Sequence, residues 1–389
     1  MKIAFLTDDI FSNGGVQRVV TTVSNLLSET YEVDVICTNK NINIDRQKYG
    51  LSQNVRVIHN PIYNSNKLNR HMVKFIRGVN RLTNILNNKY LVDILQKSYY
   101  SKELKIKSID IINENKYDVV VGCEGFYAIL LGIIKPNLQC KTIGWSHNSY
   151  EAYLENKNRY YWKRDILFKK YMAILDKNIV LTKSDKNKYL DELGIKSDVI
   201  YNPLSFRCCE KSELKSNVII GAGRLSAQKG FDNLIKSFYI ANKDRSDKWE
   251  LWIIGDGEDE GILKKLVDSL NISNCVKFIP FTKEIDTYLK QASIYAMSSR
   301  WEGFGLVVTE ALEAGLPVVS FNESGPKEIL DGFNCATIVD QGGIVQFAKA
   351  LIELMDNYSI RKEYSYNGLK RVKVFYGENI VNEWINIFS

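Results

Sequence analysis

Thirteen short runs rich in β-branched and aromatic residues punctuate the chain, each separated from the next by a longer stretch of helical character. In the first half they are "KIAFLT" (2–7), "EVDVICT" (32–38), "VRVIHN" (55–60), "DVVVGC" (118–123), "KTIGWSH" (141–147), "NIVLT" (178–182) and "DVIYN" (198–202). The second half carries "NVIIGAG" (217–223), "WELWIIGDG" (249–257), "VKFIPF" (276–281), "IYAMSS" (294–299), "PVVSF" (317–321) and "ATIVD" (336–340). Alternation of this kind is the pattern of α/β units built on parallel sheets. At 389 residues the chain exceeds one comfortable core, which predicts two doubly wound, Rossmann-like domains. The polar stretch "SFRCCEKSELKSN" (205–217), following "YNPL", reads as the linker between them. The expected bounds are 1–204 and 205–374. In sheets of this class ligands bind at the carboxyl ends of strands, so the loops after these runs should carry the chemistry.

Composition narrows the class of protein. The chain is 45% hydrophobic and 25% charged, as folded domains are. Its longest apolar run, Phe126 to Ile134, is about half of what a bilayer requires. "MKIAFLT" reads as a strand rather than a signal peptide. The seven cysteines are scattered and lack metal-ligand spacing, which suits reduced thiols in a cytosolic compartment. With three histidines in the chain, a histidine-rich metal site is not expected.

Several constellations fall on the predicted functional edge. Gly14 and Gly15 follow the first strand and precede a helix, where backbone N–H groups can approach a phosphate or a sugar; a plain glycine turn explains them equally well. A GxGxxG fingerprint is absent, which disfavours a nicotinamide cofactor. "GAGRLSAQKGFDNLIKSF" sets Arg224 and Lys229 at the end of a buried strand, before a helix starting near Phe231. A planar fork of donors and a point charge together suit a diphosphate; the bland alternative is two solvated cations. His147 ends "KTIGWSH" on the same kind of edge, though a lone histidine is more often structural than catalytic. "SRWEGFGLVVTEALEAGLPVVSF" (299–321) places Glu302 in a loop with Gly303 and Gly305, and Glu310 on the helix that follows. The first carboxylate can bind sugar hydroxyls or help stabilise developing positive charge, and the second can accept both hydroxyls of a ribose. Glu313, three residues on, reads as a helix-surface charge.

The ordered set "NGGVQR", "GWSHN", "GAGRLSAQKG", "IIGDG" and "EGFGLVVTEALEAGLPVV" resembles the retaining glycosyltransferases of family 4, two-domain enzymes of the GT-B fold whose Rossmann-like domains face each other across a cleft. The resemblance implies that Arg224 and Lys229 hold the donor diphosphate and neutralise it as it leaves, and that Glu310 binds the nucleotide ribose. It further implies that Glu302 contacts the transferred sugar, with Gly303, Phe304, Gly305 and Leu306 helping to place sugar and phosphate. By the same resemblance His147 approaches the donor sugar, Gly15 lines its phosphate side, and Ile279, Pro280 and Phe281 lie near the nucleobase. Pro280 and the pair Gly325-Pro326 stand where the family often has glycine. In this family a C-terminal helix crosses back onto the first domain, a role suited to about 375–389. No Asp-x-Asp motif sits at a strand end, so neither a metal nor another cofactor is expected.

The charge is unevenly distributed. Residues 64–107 hold ten Lys and Arg against Asp93 and Glu103, more than the chain's whole net charge of +7. A second basic run, 155–170, mixes aromatic residues with its charges. In 68–86 the apolar residues Leu68, Met72, Phe75, Ile76, Val79, Leu82 and Leu86 recur at helical spacing among Arg70, Lys74, Arg77 and Arg81. Such a helix either lies on anionic lipid headgroups or packs on its own domain with a solvated cationic face. No nucleic-acid module accompanies the charge. The functional expectation is transfer of a hexose or N-acetylhexosamine from a nucleotide sugar, UDP-linked, to a polyprenyl-linked or growing glycan at the inner face of a bacterial membrane, in capsule, exopolysaccharide or lipopolysaccharide synthesis. The alternatives are a sugar-nucleotide epimerase of the same architecture, which needs no acceptor, and a non-catalytic partner subunit, which would tolerate loss of Arg224 or Glu310.

Overall fold

The computed structural model describes residues 1–61, 67–157 and 159–388, with the side chains of 67–70 excepted. Each of the thirteen runs contains a strand. These are β1 (Lys2–Thr7), β2 (Glu32–Cys37), β3 (Val55–His59), β4 (Val119–Cys123), β5 (Lys141–Trp145), β6 (Lys177–Val180), β7 (Asp198–Val199), β8 (Val218–Ala222), β9 (Glu250–Ile254), β10 (Val276–Ile279), β11 (Ile294–Met297), β12 (Val318–Phe321) and β13 (Ala336–Val339). The chain divides into two compact units, Met1–Pro203 with Gly377–Ser389, and Leu204–Tyr376. The first holds a sheet of order β3-β2-β1-β4-β5-β6-β7, the second one of order β10-β9-β8-β11-β12-β13. All pairings are parallel. Both are α/β sheets of Rossmann order, as expected.

The helices that matter below are α1 (Gly15–Leu27), α2 (Lys67–Thr83), α3 (Val92–Tyr99), α4 (Glu124–Ile134), α5 (Phe231–Asn242), α6 (Leu306–Glu313) and α7 (Gly377–Phe388). Among the described residues no helix is long and apolar enough to cross a membrane. Central strands read as unbroken apolar runs because helices cover both faces of the sheet. In β1, Ile3, Ala4, Phe5 and Leu6 are all fully buried.

Helix α7 belongs to the first unit. Its buried residues Ile380, Trp384 and Phe388 fall every fourth position, so they share one face. The Trp384 ring sits edge-on to Trp145, centroids 4.7 Å apart, and 6.0 Å from Phe5 of β1. Lys141 on β5 donates to the carbonyls of Ile387 and Phe388 at 2.9 and 3.1 Å, satisfying groups a helix end leaves without intrahelical partners.

Two expectations need correction. The polar stretch 205–217 is fastened to the second unit rather than strung free. Cys208 N–H donates to Glu313, Ser212 N–H to the Ala314 carbonyl at 2.8 Å, and Arg361 donates twice to the Leu214 carbonyl. Glu313 is accordingly no surface charge: it is 2% exposed. It accepts from Cys208 N–H at 3.1 Å, Lys211 Nζ at 2.6 Å and the Tyr376 hydroxyl at 3.2 Å. The periodicity of α6 alone could not reveal that a distant polar segment covers this face.

Helix α2 carries apolar residues both on the core side and on its exposed side. Ile76 packs on the core and Asn80 is buried, whereas Met72, Phe75 and Leu82 are 64%, 71% and 83% exposed. Asn80 Nδ2 donates to the Lys163 carbonyl at 2.8 Å, and Lys163 Nζ donates to the carbonyls of Arg81 and Leu82, each at 3.0 Å. The two basic runs, far apart in sequence, thus lie side by side. Lys67, Leu68 and Arg70, part of the expected amphipathic pattern, and Asn158 fall outside the described side chains.

Candidate functional site

In doubly wound sheets the strand order reverses at a switch point, and the crevice outside the strand ends there accepts ligands. In the second unit that point lies between β8 and β11. After β8 the chain passes through Gly223, exposed Arg224 and a turn at Ala227–Lys229 before α5. Gly230 is left-handed at φ 61°, and a side chain there would lie 2.2 Å from the Ser298 carbonyl oxygen. Only glycine lets the two loops approach so closely. Further bonds weld them together. Ser298 Oγ donates to the Lys229 carbonyl at 2.9 Å, Arg300 N–H to the Gln228 carbonyl at 2.7 Å, and the Arg300 guanidinium to both Asp232 oxygens at 2.9 and 2.8 Å.

The product of this packing is an ion pair. Lys229 Nζ lies 2.5 Å from Glu302 Oε2, and Ser299 Oγ donates to the same oxygen at 3.3 Å. Arg224, beside them in sequence, makes no side-chain hydrogen bond or ion pair among the described residues. Gly303, Phe304 and Gly305 are buried, and Gly305 enters α6 at φ 96°. Glu310, 1% exposed, lies in the middle of that helix, behind the half-buried Leu306. A side chain at Gly325 would come within 2.5 Å of the Phe304 backbone, so this glycine of "SGPKEI" serves loop packing.

Ile279 closes β10, exposed Pro280 follows, and Phe281 N–H donates to Asp256 Oδ1 at 3.2 Å. Asp256 belongs to "IIGDG", whose glycines press on the Arg224 loop. A side chain at Gly255 would lie 2.0 Å from the Gly223 carbonyl oxygen, and one at Gly257 2.2 Å from that of Leu225. The structure therefore gathers Arg224, Lys229, Glu302, Gly303, Phe304, Gly305, Glu310 and the 279–281 segment along one sheet edge.

The first unit reverses between β1 and β4. Gly15 opens α1 there, exposed, with neither an acidic residue nor a side-chain cap in the first turn. His147, just past β5, is 8% exposed, and neither ring nitrogen has a partner among the described residues. Its ring lies 4.1 Å from that of Trp145. Burial pushes its pKa down to about 3, so the imidazole is neutral at physiological pH. An unfolded histidine takes up its proton near pH 6.5. Between those values the unfolded state binds the extra proton, and stability rises with pH. His147 should therefore contribute stability that is complete above about pH 6.5 and is lost as the pH falls toward 3, by an amount of a few kcal/mol. Chemical denaturation across that range should show a shallower pH slope for His147→Gln than for the wild type; equal slopes would contradict it.

Sequence reasoning missed one residue at this edge. Glu124 directly follows β4 and adopts a left-handed backbone, φ 73°, uncommon for a residue with a side chain. Its carboxylate accepts from the Tyr153 hydroxyl. That hydroxyl in turn accepts from His147 N–H at 3.2 Å. Burial raises the Glu124 pKa to about 7, against the opposing hydrogen bonds from Tyr153 and Gly125. Its place immediately after "DVVVGC" was the available signal.

The sequence pattern of the glycosyl transferases group 1 matches residues 209–371. An uncharacterized glycosyltransferase of Haemophilus influenzae is 28% identical over 99% of both chains. The amylovoran biosynthesis glycosyltransferase AmsD of Erwinia amylovora is 25% identical over 100% of this chain and 99% of its own. An uncharacterized glycosyltransferase of Methanocaldococcus jannaschii is 31% identical over 75% of this chain and 82% of its own. Among solved structures, S. aureus TarM in complex with fondaparinux, alpha-GlcNAc-glycerol and UDP matches with a TM-score of 0.77 at 13% identity, covering both chains completely. Anabaena HepE in complex with UDP-glucose matches with a TM-score of 0.73 at 18% identity, over 100% of this chain and 99% of that one. These likenesses show the fold to be GT-B, an α/β architecture of two Rossmann-like domains. With a relative above 30% identity covered over most of its length, the chain belongs to the glycosyl transferases of group 1.

Proposed function

We propose that the protein is a retaining, family-4-type enzyme that transfers a hexose or N-acetylhexosamine from a UDP-sugar to a lipid-linked or growing glycan during bacterial surface polysaccharide synthesis. The observation that carries this reading is the Lys229–Glu302 pair, set beside an uncommitted Arg224 at the switch point of the second sheet. Breaking the bond between the anomeric carbon and the phosphate oxygen leaves a diphosphate with added negative charge and a sugar of oxocarbenium character. Cations fixed where the negative charge grows lower the barrier. Arg224 supplies a fork of donors, and Lys229 a charge that Glu302 and the welded loop hold in place. Once Lys229 turns to the diphosphate, Glu302 is released to the hydroxyls of the transferred sugar. Glu310 takes the ribose hydroxyls, Leu306 and the loop Gly303–Gly305 flank sugar and phosphate, and residues 279–281 flank the base.

Configuration is retained when the acceptor hydroxyl attacks the anomeric carbon from the face the diphosphate leaves. The hydroxyl proton passes to the departing phosphate oxygen, so no protein nucleophile and no divalent metal enters the step. His147, neutral and with neither ring nitrogen hydrogen-bonded among the described residues, offers its ring to a substrate hydroxyl. Gly15 and the open start of α1 suit an anionic group. The outward apolar face of α2, flanked by Lys74 and Arg81, suits the headgroup region of an anionic membrane. The polysaccharide context is supported by the likeness to the amylovoran biosynthesis glycosyltransferase of Erwinia amylovora, and the UDP donor by the likeness to HepE, which binds UDP-glucose.

The test is binding and turnover of a panel of UDP-, GDP- and ADP-sugars by the purified protein in EDTA. Selective binding and slow hydrolysis of one UDP-sugar are expected. Conversion of the donor into an epimer, or silence across the panel from a folded protein, would overturn the reading.

A further inference from the structure

The two basic runs meet at a feature that donor chemistry leaves unexplained. Arg77 on α2 and Arg164 both lie against the ring of Tyr99, their guanidinium carbons 4.3 and 4.5 Å from its centre. Both residues are half-buried. Among the described residues no carboxylate forms an ion pair with either one. Arg77 turns one edge, Nε and Nη2, to the Ser98 carbonyl at the end of α3, which is a structural role. Among the described residues Arg164 has no such bond; it also lies over the ring of Tyr161, 4.8 Å away. Burial acts against the charge on Arg77, Tyr99 favours it, and the facing Arg164 opposes it. Two half-buried like charges share one aromatic ring with no carboxylate paired to them among the described residues, an arrangement that a bound anion would stabilise.

The pair is linked to the sheet edge by packed aromatic residues. The Tyr161 hydroxyl accepts from Phe126 N–H at 2.8 Å, in the first turn of α4 after β4. Its ring stands edge-on to Tyr153, centroids 5.0 Å apart. Tyr153 bonds Glu124 and the His147 backbone. A side chain at Gly125 would lie 2.9 Å from the Tyr161 ring, so nothing larger fits between ring and helix. The strip therefore runs without a break from the arginines to the residues at the ends of β4 and β5.

We propose that Arg77 and Arg164 bind the phosphate or diphosphate ester of the acceptor, with Tyr99 and Tyr161 as the surface on which the guanidiniums are stacked. Planar guanidiniums grip phosphate oxygens with paired hydrogen bonds. An ester held there extends its glycan along Tyr161 toward Glu124 and His147. This rests on the glycosyltransferase reading for the word acceptor, while the anion site stands on its own geometry.

Two probes test it, farnesyl diphosphate and inorganic diphosphate, titrated calorimetrically into the full chain. Arg224→Gln serves as a background in which the proposed donor diphosphate site is crippled. Farnesyl diphosphate should still bind Arg224→Gln, and Arg164→Gln should weaken that binding about tenfold or more, the value of a charge-assisted hydrogen bond. Arg164→Lys should recover part of it. Arg164 makes no side-chain hydrogen bond among the described residues, so thermal unfolding should change only by the loss of its ring contacts, a fall of a few degrees in melting point. Arg77→Gln provides an independent second variant. Preference for the prenylated probe assigns the site to a lipid-linked acceptor; equal affinity for both assigns it to a soluble phosphorylated glycan. Unchanged affinity in both Arg164→Gln and Arg77→Gln, or complete loss in Arg224→Gln alone, overturns the proposal. UDP binding to the wild type judges the donor reading separately, so failure of either reading can be told from failure of the other.

Discussion

Arg224→Ala is expected to lower the rate of sugar transfer by about 10²–10³-fold, the range seen when one preorganised donor to a developing negative charge is removed. Its stability should change by less than about 0.5 kcal/mol, because an exposed side chain with no partner contributes little to folding. Lys229→Ala should cost a similar factor in rate and somewhat more in stability. It leaves Glu302, 15% exposed, without its cation. The decisive comparison is kcat at saturating donor set beside the unfolding midpoint. A normal kcat in Arg224→Ala would remove that residue from the reaction and weaken the assignment of the whole edge.

Trp384→Ala should destabilise the first unit by about 3–5 kcal/mol, the usual loss for a buried tryptophan truncated to alanine. The side chain is fully buried, with Trp145 and Phe5 around it and Phe388 5.7 Å away on its own helix. The cavity would open directly on β1 and β5, whose carboxyl ends carry the Gly15 loop and His147. A melting point lower by about 10 °C follows for a unit of this size. Trp384→Phe should recover much of that. An alanine variant melting within a degree or two of the wild type would mean that α7 is not integral to the unit.

Much of the fold was readable because burial on both faces of a parallel sheet leaves an unmistakable mark: runs such as "KIAFLT" and "NVIIGA" have no other stable use. The second-sheet site was readable for a related reason. Arg224, Lys229, Glu302 and Glu310 lie close in sequence to the ends of β8 and β11, and the strand order joins those ends. What escaped depended on contacts between distant segments. Glu313 looked exposed until residues 208–211 were seen to cover it. The exposed apolar side of α2 cannot be inferred from apolar spacing, which gives the stripe but not the direction it faces. Arg77 and Arg164 stand far apart in the chain, and their meeting at Tyr99 follows from the bonds that Asn80 and Lys163 make across the two basic runs. Glu124 was within reach, since the strand-edge rule that singled out His147 applies to it equally.

The first unit is discontinuous, its sheet built from residues before 204 and sealed by α7 after the whole second unit. During synthesis the second unit therefore emerges complete while the first still lacks the helix that covers β1 and β5. Domains that are contiguous in sequence can fold as they leave the ribosome, and here only the second has that option. β1 and β5 are made before the second unit and α7 after it, so the nascent chain carries Phe5 and Trp145 without the Trp384 ring that packs on them until translation has passed Trp384.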